Sequence, residues 1–390
     1  MPEPDRTKGL ELDVNADDVT LSSSHEKIKT GETNAQTYLD ETVAWMDENN
    51  LLLADKTQAT LLTPDPAEYN YELNLKIKGE PLETTKTPKI LGLTFDPKLT
   101  FAEHVKKTEE NSKKALRLVK ALSGTSWGQQ KETLVNTYKQ YVRPIIEYAS
   151  PAWSPIISDT NLLKLQRVQN EALRCATGHT RDTNIVHIHR ETKVLPLKTH
   201  LHLVASQYRE SARDPEHPMH EELAAPDPDR LMKRTALQTL NSTIVHSCDN
   251  NEDTEKQRKR NKQTIHTAIV QTHLADQPDH PLLQAQPPEI SKEEMTLSRE
   301  TRRRLAQLRA RKCPLLQQYL HNLGGADDPS CPLCGHDPHD TPHIFECPRV
   351  PTELTPIHLW RSPAEVADLL ERWKTTLGAA EEAPEAAVRQ

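Results

Sequence analysis

The run Cys331-Pro332-Leu333-Cys334-Gly335 holds the densest chemistry in the chain. Two thiols separated by two residues can reach one ion when a tight turn folds between them. Gly335 tolerates the positive φ that such turns need. His343 and Cys347 follow in the run HIFEC. They stand about one helical turn apart, so their side chains can converge. Zn²⁺ takes four nitrogen and sulfur donors in a tetrahedron, and Cys331, Cys334, His343 and Cys347 supply that set. His339 competes with His343 for the nitrogen position. A group of free thiols is the other account of the same spacing.

A second candidate lies near the N-terminus. Residues 12–21, LDVNADDVTL, read as a strand, a tight acidic turn and a strand. Adjacent carboxylates on a hairpin offer the oxygen donors that hard divalent cations prefer, so Asp17 and Asp18 form a candidate metal pair. A solvated acidic turn explains the same residues. Cations gather in two further places. A helix following Phe101 carries Lys106, Lys107, Lys113, Lys114, Arg117 and Lys120. Residues 298–320 carry Arg302, Arg303, Arg304, Arg309, Arg311 and Lys312 among leucines. Both sets can contact a phosphate backbone, and both can also be solvated helix faces.

The elements around these residues are organised by residues 89–153. An apolar strand over 90–95 contains Gly92, which admits close approach of another backbone. Asp96-Pro97 ends it. The basic helix follows, with Val105, Ala115, Leu116, Val119 and Leu122 on one stripe. A second helix over 129–148 presents Leu134, Tyr138, Tyr141, Ile145 and Tyr148. A strand feeding a basic helical hairpin suggests the palm-to-thumb junction of a polynucleotide polymerase.

The wording of this region resembles reverse transcriptases of jockey-type non-LTR retrotransposons. The carrying stretches are residues 89–92 (KILG), 98–101 (KLTF), 141–153 (YVRPIIEYASPAW), 165–170 (LQRVQN) and 172–174 (ALR). The resemblance runs from about residue 12 to about residue 370 and is weak between 210 and 295. It implies RNA-directed DNA synthesis by two-metal phosphoryl transfer in a full element. Asp17 then matches the Mg²⁺ ligand of the Ala-Asp-Asp hairpin, and Asp18 matches its neighbour. Asn15 stands where the family carries an aromatic. Lys56 matches a palm lysine near the incoming triphosphate; an ordinary turn lysine is the other account. The family has a similar C-x-x-C…H…C knuckle, followed by a segment like PTELTPIHLW. The resemblance also implies that fingers and a further metal-binding aspartate lie upstream. The expectation is a truncated fragment, inactive alone. The rival expectation is a zinc-containing protein that binds nucleic acid or a partner without catalysis.

Composition limits the folded mass. Of 390 residues only 35% are hydrophobic and 4% aromatic, and 29 are proline, so part of the chain is expected as linker. A net charge of −8 excludes nucleic-acid binding through the overall field and leaves local patches. No apolar leader or membrane-length run is present. The six cysteines suit a metal site plus free thiols, hence a reducing, intracellular compartment.

The expected architecture is α+β. Residues 1–100 are the late part of a palm sheet, with strands at 58–63, 73–77 and 90–95 and a helix over 33–49. Residues 101–209 are a helical thumb. It includes a periodic helix over 162–177, capped by Gly178 and carrying Arg167 and Arg174. His187 and His189 lie in a strand-like run, and His200 and His202 in a leucine-rich helix; all four read as packing rather than metal ligands. Residues 210–295 are mostly linker, with short helices at 231–244 and 264–273 and a basic patch at 256–262. Residues 296–375 are the basic helix and knuckle, closed by an amphipathic helix with Trp360, Val366, Leu369 and Leu370. Residues 376–390 are a disordered tail. The expected partner is RNA or DNA.

Overall fold

The computed structural model describes residues 1–54, 56–124, 127–221 and 255–382. The expected helix at 231–244 and the tail past 382 lie outside them. The chain divides into two compact units. One is Met1–Lys107 with Ile156–Asn161; the other is Thr108–Pro155 with Leu162–Gln390. No helix among the described residues is long and apolar enough to cross a membrane.

The first unit opens on a hairpin of β1 (Leu10–Asn15) and β2 (Asp18–Ser23), paired antiparallel with Asn15 opposite Asp18. Ala16 and Asp17 form the turn, and Ala16 takes φ 54°, as the primed turns of tight hairpins require at their first central position. Gly9 closes the base of the hairpin. Its φ is 71°, and an added Cβ would lie 2.1 Å from the Ser24 carbonyl oxygen, so no larger residue fits.

Helix α1 (Ile28–Glu48) packs along β2. Its Ala35 meets Ala59 and Leu75, with Leu21, Leu73 and Leu82 around them. The Gln36 side chain clamps β4 (Lys76–Ile77), donating to the Lys76 carbonyl and accepting from the Lys76 amide, both at 2.8 Å. The remaining strands are β3 (Gln58–Ala59), β5 (Glu80–Pro81), β6 (Glu83–Thr84), β7 (Lys89–Ile90) and β8 (Leu93–Thr94).

The expected palm-sheet fragment is corrected here. Among the described residues the strands form four separate two-stranded ladders, β1–β2, β3–β6, β4–β5 and β7–β8. Prolines 64, 66, 81, 88 and 97 cut the segment into pieces too short for a continuous sheet, because each removes a ladder donor. The apolar run at 90–95 is likewise a hairpin rather than one strand. Leu91 and Gly92 take φ 44° and 84°, so Gly92 serves the turn and not a close strand approach.

Helix α2 (Ala102–Ala121) leads into the second unit. There Leu116 and Val119 pack with residues of α3 (Lys131–Thr137), α6 (Asp159–Thr177) and α7 (Ile185–Thr192). The expected single helix at 129–148 is interrupted. After α3 a π-helical stretch, Tyr138–Val142, precedes α4 (Arg143–Glu147) and the short α5 (Ser150–Trp153). An extra residue in a turn rotates everything beyond it around the axis. Tyr138, Val142 and Ile146 are therefore buried, while Tyr141 and Tyr148 are more than half exposed, against expectation. In α6 the periodic stripe is buried as expected at Leu165, Val168, Gln169 and Ala172. The strand-like histidine run is instead helix α7, capped by the Asn184 side chain on the Val186 amide. Helix α8 (Leu197–Ser211) follows.

The linker expectation is corrected for residues 255–295. Helix α9 (Glu255–Ala275) packs on α8, with Ile265 and Ile269 against Leu203. The basic patch at 256–262 and the expected short helix at 264–273 both belong to it. Leu282, Leu283 and Ile290 pack against the C-terminal core, and Glu294 is buried. Three leucines and isoleucines spread over a polar segment show no period, so only their partners reveal them.

That core gathers α10 (Arg299–Arg309), α11 (Gln317–Asn322), α12 (Thr341–Glu346), α13 (His358–Arg361) and α14 (Pro363–Glu382). Leu305, Leu308, Leu316, Ile344, Phe345, Trp360, Val366, Leu369 and Trp373 are its centre. The amphipathic closing helix packs as expected, with Val366, Leu369 and Leu370 buried.

Candidate metal centre

The turn Cys331–Gly335 forms the first half of the centre. The Gly335 amide donates to the Cys331 carbonyl and the Cys331 amide to the His336 carbonyl, both at 2.8 Å. Gly335 takes φ 73°, the left-handed conformation the turn needs. Helix α12 supplies the second half. Asp340 caps it, its side chain accepting from the His343 amide at 3.2 Å, and Pro342 sits in its first turn, where a missing N–H costs nothing. His343 lies on the helix and Cys347 ends it, so the single turn aims both at the thiol pair.

The three Sγ atoms and a ring nitrogen of His343 all lie within 4.8 Å of one another. His343 Nε2 is 3.4 Å from Cys334 Sγ. Three thiols and one imidazole converging at this scale fit tetrahedral Zn²⁺, whose bonds to sulfur and nitrogen are about 2.0–2.3 Å. Cys331, His343 and Cys347 are almost fully buried; Cys334 is half-buried. Burial pushes the Cys331 and Cys347 thiols up. Burial also acts on Cys334, but hydrogen bonds from the His336 amide and from the neighbouring thiols outweigh it and bring that thiol down.

The surroundings hold the donors in place. His336 stacks on His343 with ring centroids 4.6 Å apart and planes 9° apart. Trp373 Nε1 donates to the Ile344 carbonyl at 3.1 Å, tying α14 to α12. His339 has a different task. Its Nδ1 accepts from the Gln317 amide at 3.1 Å, and its ring stacks on Trp373 at 5.3 Å. His336 carried no signal in the sequence beyond its proximity to the cysteines, and Trp373, far along the chain, carried none.

The other sequence candidates fall elsewhere. Asp17 and Asp18 are exposed at the tip of β1–β2, and Lys56 is exposed. Among the described residues, neither aspartate joins a group of three or more metal-binding side chains, nor do the histidines 187, 189, 200 and 202. On α2, Lys106, Lys107, Lys113, Lys114, Arg117 and Lys120 are all exposed. Lys113 pairs with Glu109 at 2.6 Å and Lys120 with Glu171 at 2.5 Å.

The basic helix α10 is a correction. Arg302 and Arg309 are 5% and 3% exposed and point into the protein. Arg309 binds both Glu191 oxygens at 3.0 and 3.2 Å, bonds Glu294, and donates to the Leu359 carbonyl. Lys131 joins Glu191 at 2.8 Å and Glu294 at 3.0 Å. Arg302 bonds Gln130 and pairs with Glu132. Burial works against the Glu191 charge, but Arg309 and Lys131 outweigh it and hold its carboxyl well below the usual range. A buried guanidinium needs carboxylate partners, and these two arginines spend their donors on them. Arg304 pairs with Glu300 one turn earlier, and Arg303 packs its stem over Gly178. Arg311 and Lys312 lie past the helix end, paired with Asp340 at 3.4 Å and Asp182 at 3.0 Å.

No protein-family model matches the chain, and no solved structure matches it. Two curated proteins of Drosophila melanogaster do. One is a probable RNA-directed DNA polymerase from transposon BS, 25% identical over 202 residues, covering 51% of this chain and 22% of that protein. The other is the RNA-directed DNA polymerase from mobile element jockey, 27% identical over 209 residues, covering 50% and 21%. The chain thus spans about a fifth of the length of the curated relatives it matches. The chain resembles the RNA-directed DNA polymerases of non-LTR retrotransposons.

Proposed function

We propose that this chain is a retroelement-derived segment of an RNA-directed DNA polymerase: late-palm residues, a helical thumb, and a C-terminal zinc knuckle that binds one structural Zn²⁺. The observation that carries this reading is the similarity to the two Drosophila polymerases over half the chain. The zinc centre adds support, since its donor set is complete within the chain. In a completed polymerase, Mg²⁺ would neutralise the charge that develops as phosphoryl transfer proceeds. Asp17 is the ligand assigned to it, Asp18 supports the hairpin, and Lys56 stands near the triphosphate. The cations of α2 hold the nucleic-acid backbone. Arg303, Arg304, Arg311 and Lys312 are secondary contacts at most, because their pairs and packing already engage them. Free cysteines in this pattern support a reducing, intracellular compartment.

Two-metal chemistry needs carboxylates from separate strands. The described residues bring no third ligand to Asp17 and Asp18. The second reading of the isolated chain is nucleic-acid or partner binding without catalysis. Primer extension on an RNA template with Mg²⁺ or Mn²⁺ tests the two together. The expected outcome is no extension while nucleic acid is bound. Extension that vanishes with Asp17→Ala would overturn the inactive reading. Failure to bind RNA or DNA at low salt would overturn the polymerase-derived one.

A further inference from the structure

The loop after α2 presents an aromatic side chain that the core does not use. Trp127 is 73% exposed, whereas Trp153, Trp360 and Trp373 are buried. Burying an indole is among the larger apolar gains available to a chain, so a well-held exposed one asks for another partner.

The loop is built to hold it. The Gln129 amide closes the loop on the Leu122 carbonyl at 2.8 Å, and the Gly128 amide reaches the Gly124 carbonyl at 3.2 Å. The indole lies against Gly124, where an added Cβ would come within 2.3 Å of Trp127 Cε2. At Gly128 an added Cβ would come within 2.4 Å of the Gly124 main chain. Arg299, almost fully buried, pins the loop from beneath. Its guanidinium donates to the carbonyls of Gly124 at 2.7 Å and Ser123 at 3.4 Å, and also to Gln129. The same group bonds the Cys175 and Ala176 carbonyls at the end of α6, which anchors the loop to the core.

The helix leading into this loop is cationic on its outer side. At about 100° per residue, Lys113, Arg117 and Lys120 fall on one stripe, with Lys114 on its flank. Leu116 and Val119 face the core. Among the described residues Lys114 and Arg117 form no ion pair; Lys120 holds an exposed one with Glu171, and the exposed Lys113 pairs with the half-buried Glu109. A row of cations ending in a clamped, exposed indole matches the way single strands are held: phosphates along a basic track and a base on an aromatic face.

We propose that Trp127 is a base-stacking platform for single-stranded nucleic acid, with Lys113, Lys114, Arg117 and Lys120 as the phosphate track leading to it. This rests on the nucleic-acid-binding part of the proposed function and names its residue and strand state. A duplex keeps its bases stacked on each other, so the indole gains little from one. The cations serve either form.

The experiment uses the full zinc-loaded chain and fluorescence anisotropy with a labelled short oligothymidylate and a hairpin duplex of matched charge. Trp127→Ala is expected to weaken oligothymidylate binding about tenfold and duplex binding less than about twofold; Trp127→Phe keeps most of the affinity. Lys114→Gln with Arg117→Gln is expected to weaken both ligands and to flatten the dependence of log K on log salt. The stacking role is overturned if Trp127→Ala binds oligothymidylate as the parent does. It is also overturned if both ligands weaken equally, which would mark a collapsed loop. Self-association of the parent that Trp127→Ala abolishes, with oligonucleotide binding unchanged, would assign the face to a second copy. If the parent binds neither ligand, the underlying nucleic-acid reading fails and takes this one with it.

Discussion

His339 and His343 show how two identical residues in one short segment are given different work. His343 stands on the first turns of α12, where the helix points it at the thiols. His339 precedes the cap, is almost fully buried, and is spent on the Gln317 amide and the Trp373 ring. A histidine that accepts a main-chain hydrogen bond through one nitrogen is fixed in orientation by it. Metal analysis of the parent is expected to find one Zn²⁺ per chain, and His343→Ala is expected to lose it. His339→Ala is expected to keep the metal while lowering the unfolding midpoint, because it empties a packed site beside Trp373. Full zinc in the first variant and none in the second would exchange the two roles.

At the scale of elements, α10 is the member that joins the C-terminal core to the preceding helices. Its sequence is dense in arginine, yet the helix places Arg299, Arg302 and Arg309 on its buried side. Arg299 bonds carbonyls after α2 and at the end of α6; Arg302 reaches α3; Arg309 reaches Glu191 on α7. The ion pairs of Arg309 carry their stability in mutual compensation. Arg309→Met would leave Glu191 and Glu294 with Lys131 as the main counter-charge for two buried carboxylates. Removing one partner from such a buried set costs about 3–5 kcal/mol. Urea unfolding of this variant against the parent checks the figure. A loss below about 1 kcal/mol would mean the network is solvated and worth no more than surface pairs.

The whole molecule answers to acid through its buried histidines. His179 is depressed to about 4, first by burial; Glu191 works against that shift while His187 and Arg309 add to it. Its ring spans the Thr177 hydroxyl at 2.7 Å and the Ala306 carbonyl at 3.1 Å. His280, set edge-on to Trp360 and His187, is also depressed to about 4, chiefly by burial. An unfolded histidine titrates near 6.5. Below that pH the unfolded chain takes up protons that the folded chain refuses, so stability rises with pH through this window. It is complete above about 6.5 and is lost toward 4, by about 1.4 kcal/mol per pH unit for each histidine. Glu191, held low, loses its contribution only below the ordinary carboxylate range. Denaturation midpoints measured at pH 7 and pH 5 should therefore differ, with the acid value lower. Equal midpoints would show that these rings protonate without cost.

The sequence by itself determined the grouping of Cys331, Cys334, His343 and Cys347, because its signals are local. A C-x-x-C turn closed by glycine and a His-to-Cys spacing of one helical turn each act within a few residues. The same holds for the periodic stripe of α6 and for the Asp-Asp hairpin. Only the tertiary structure decided which arginines of α10 face inward, since a buried ion pair depends on Glu191 and Glu294, which lie far from Arg309 or outside its helix. It decided that the short helix expected at 264–273 extends over 255–275 and packs, because Ile265 and Ile269 are too few to mark a buried face until Leu203 covers them. It also decided the phase of residues 138–148. One π turn carries Tyr141 and Tyr148 toward water while Tyr138 stays buried, and nothing in the composition of that stretch announces an added residue.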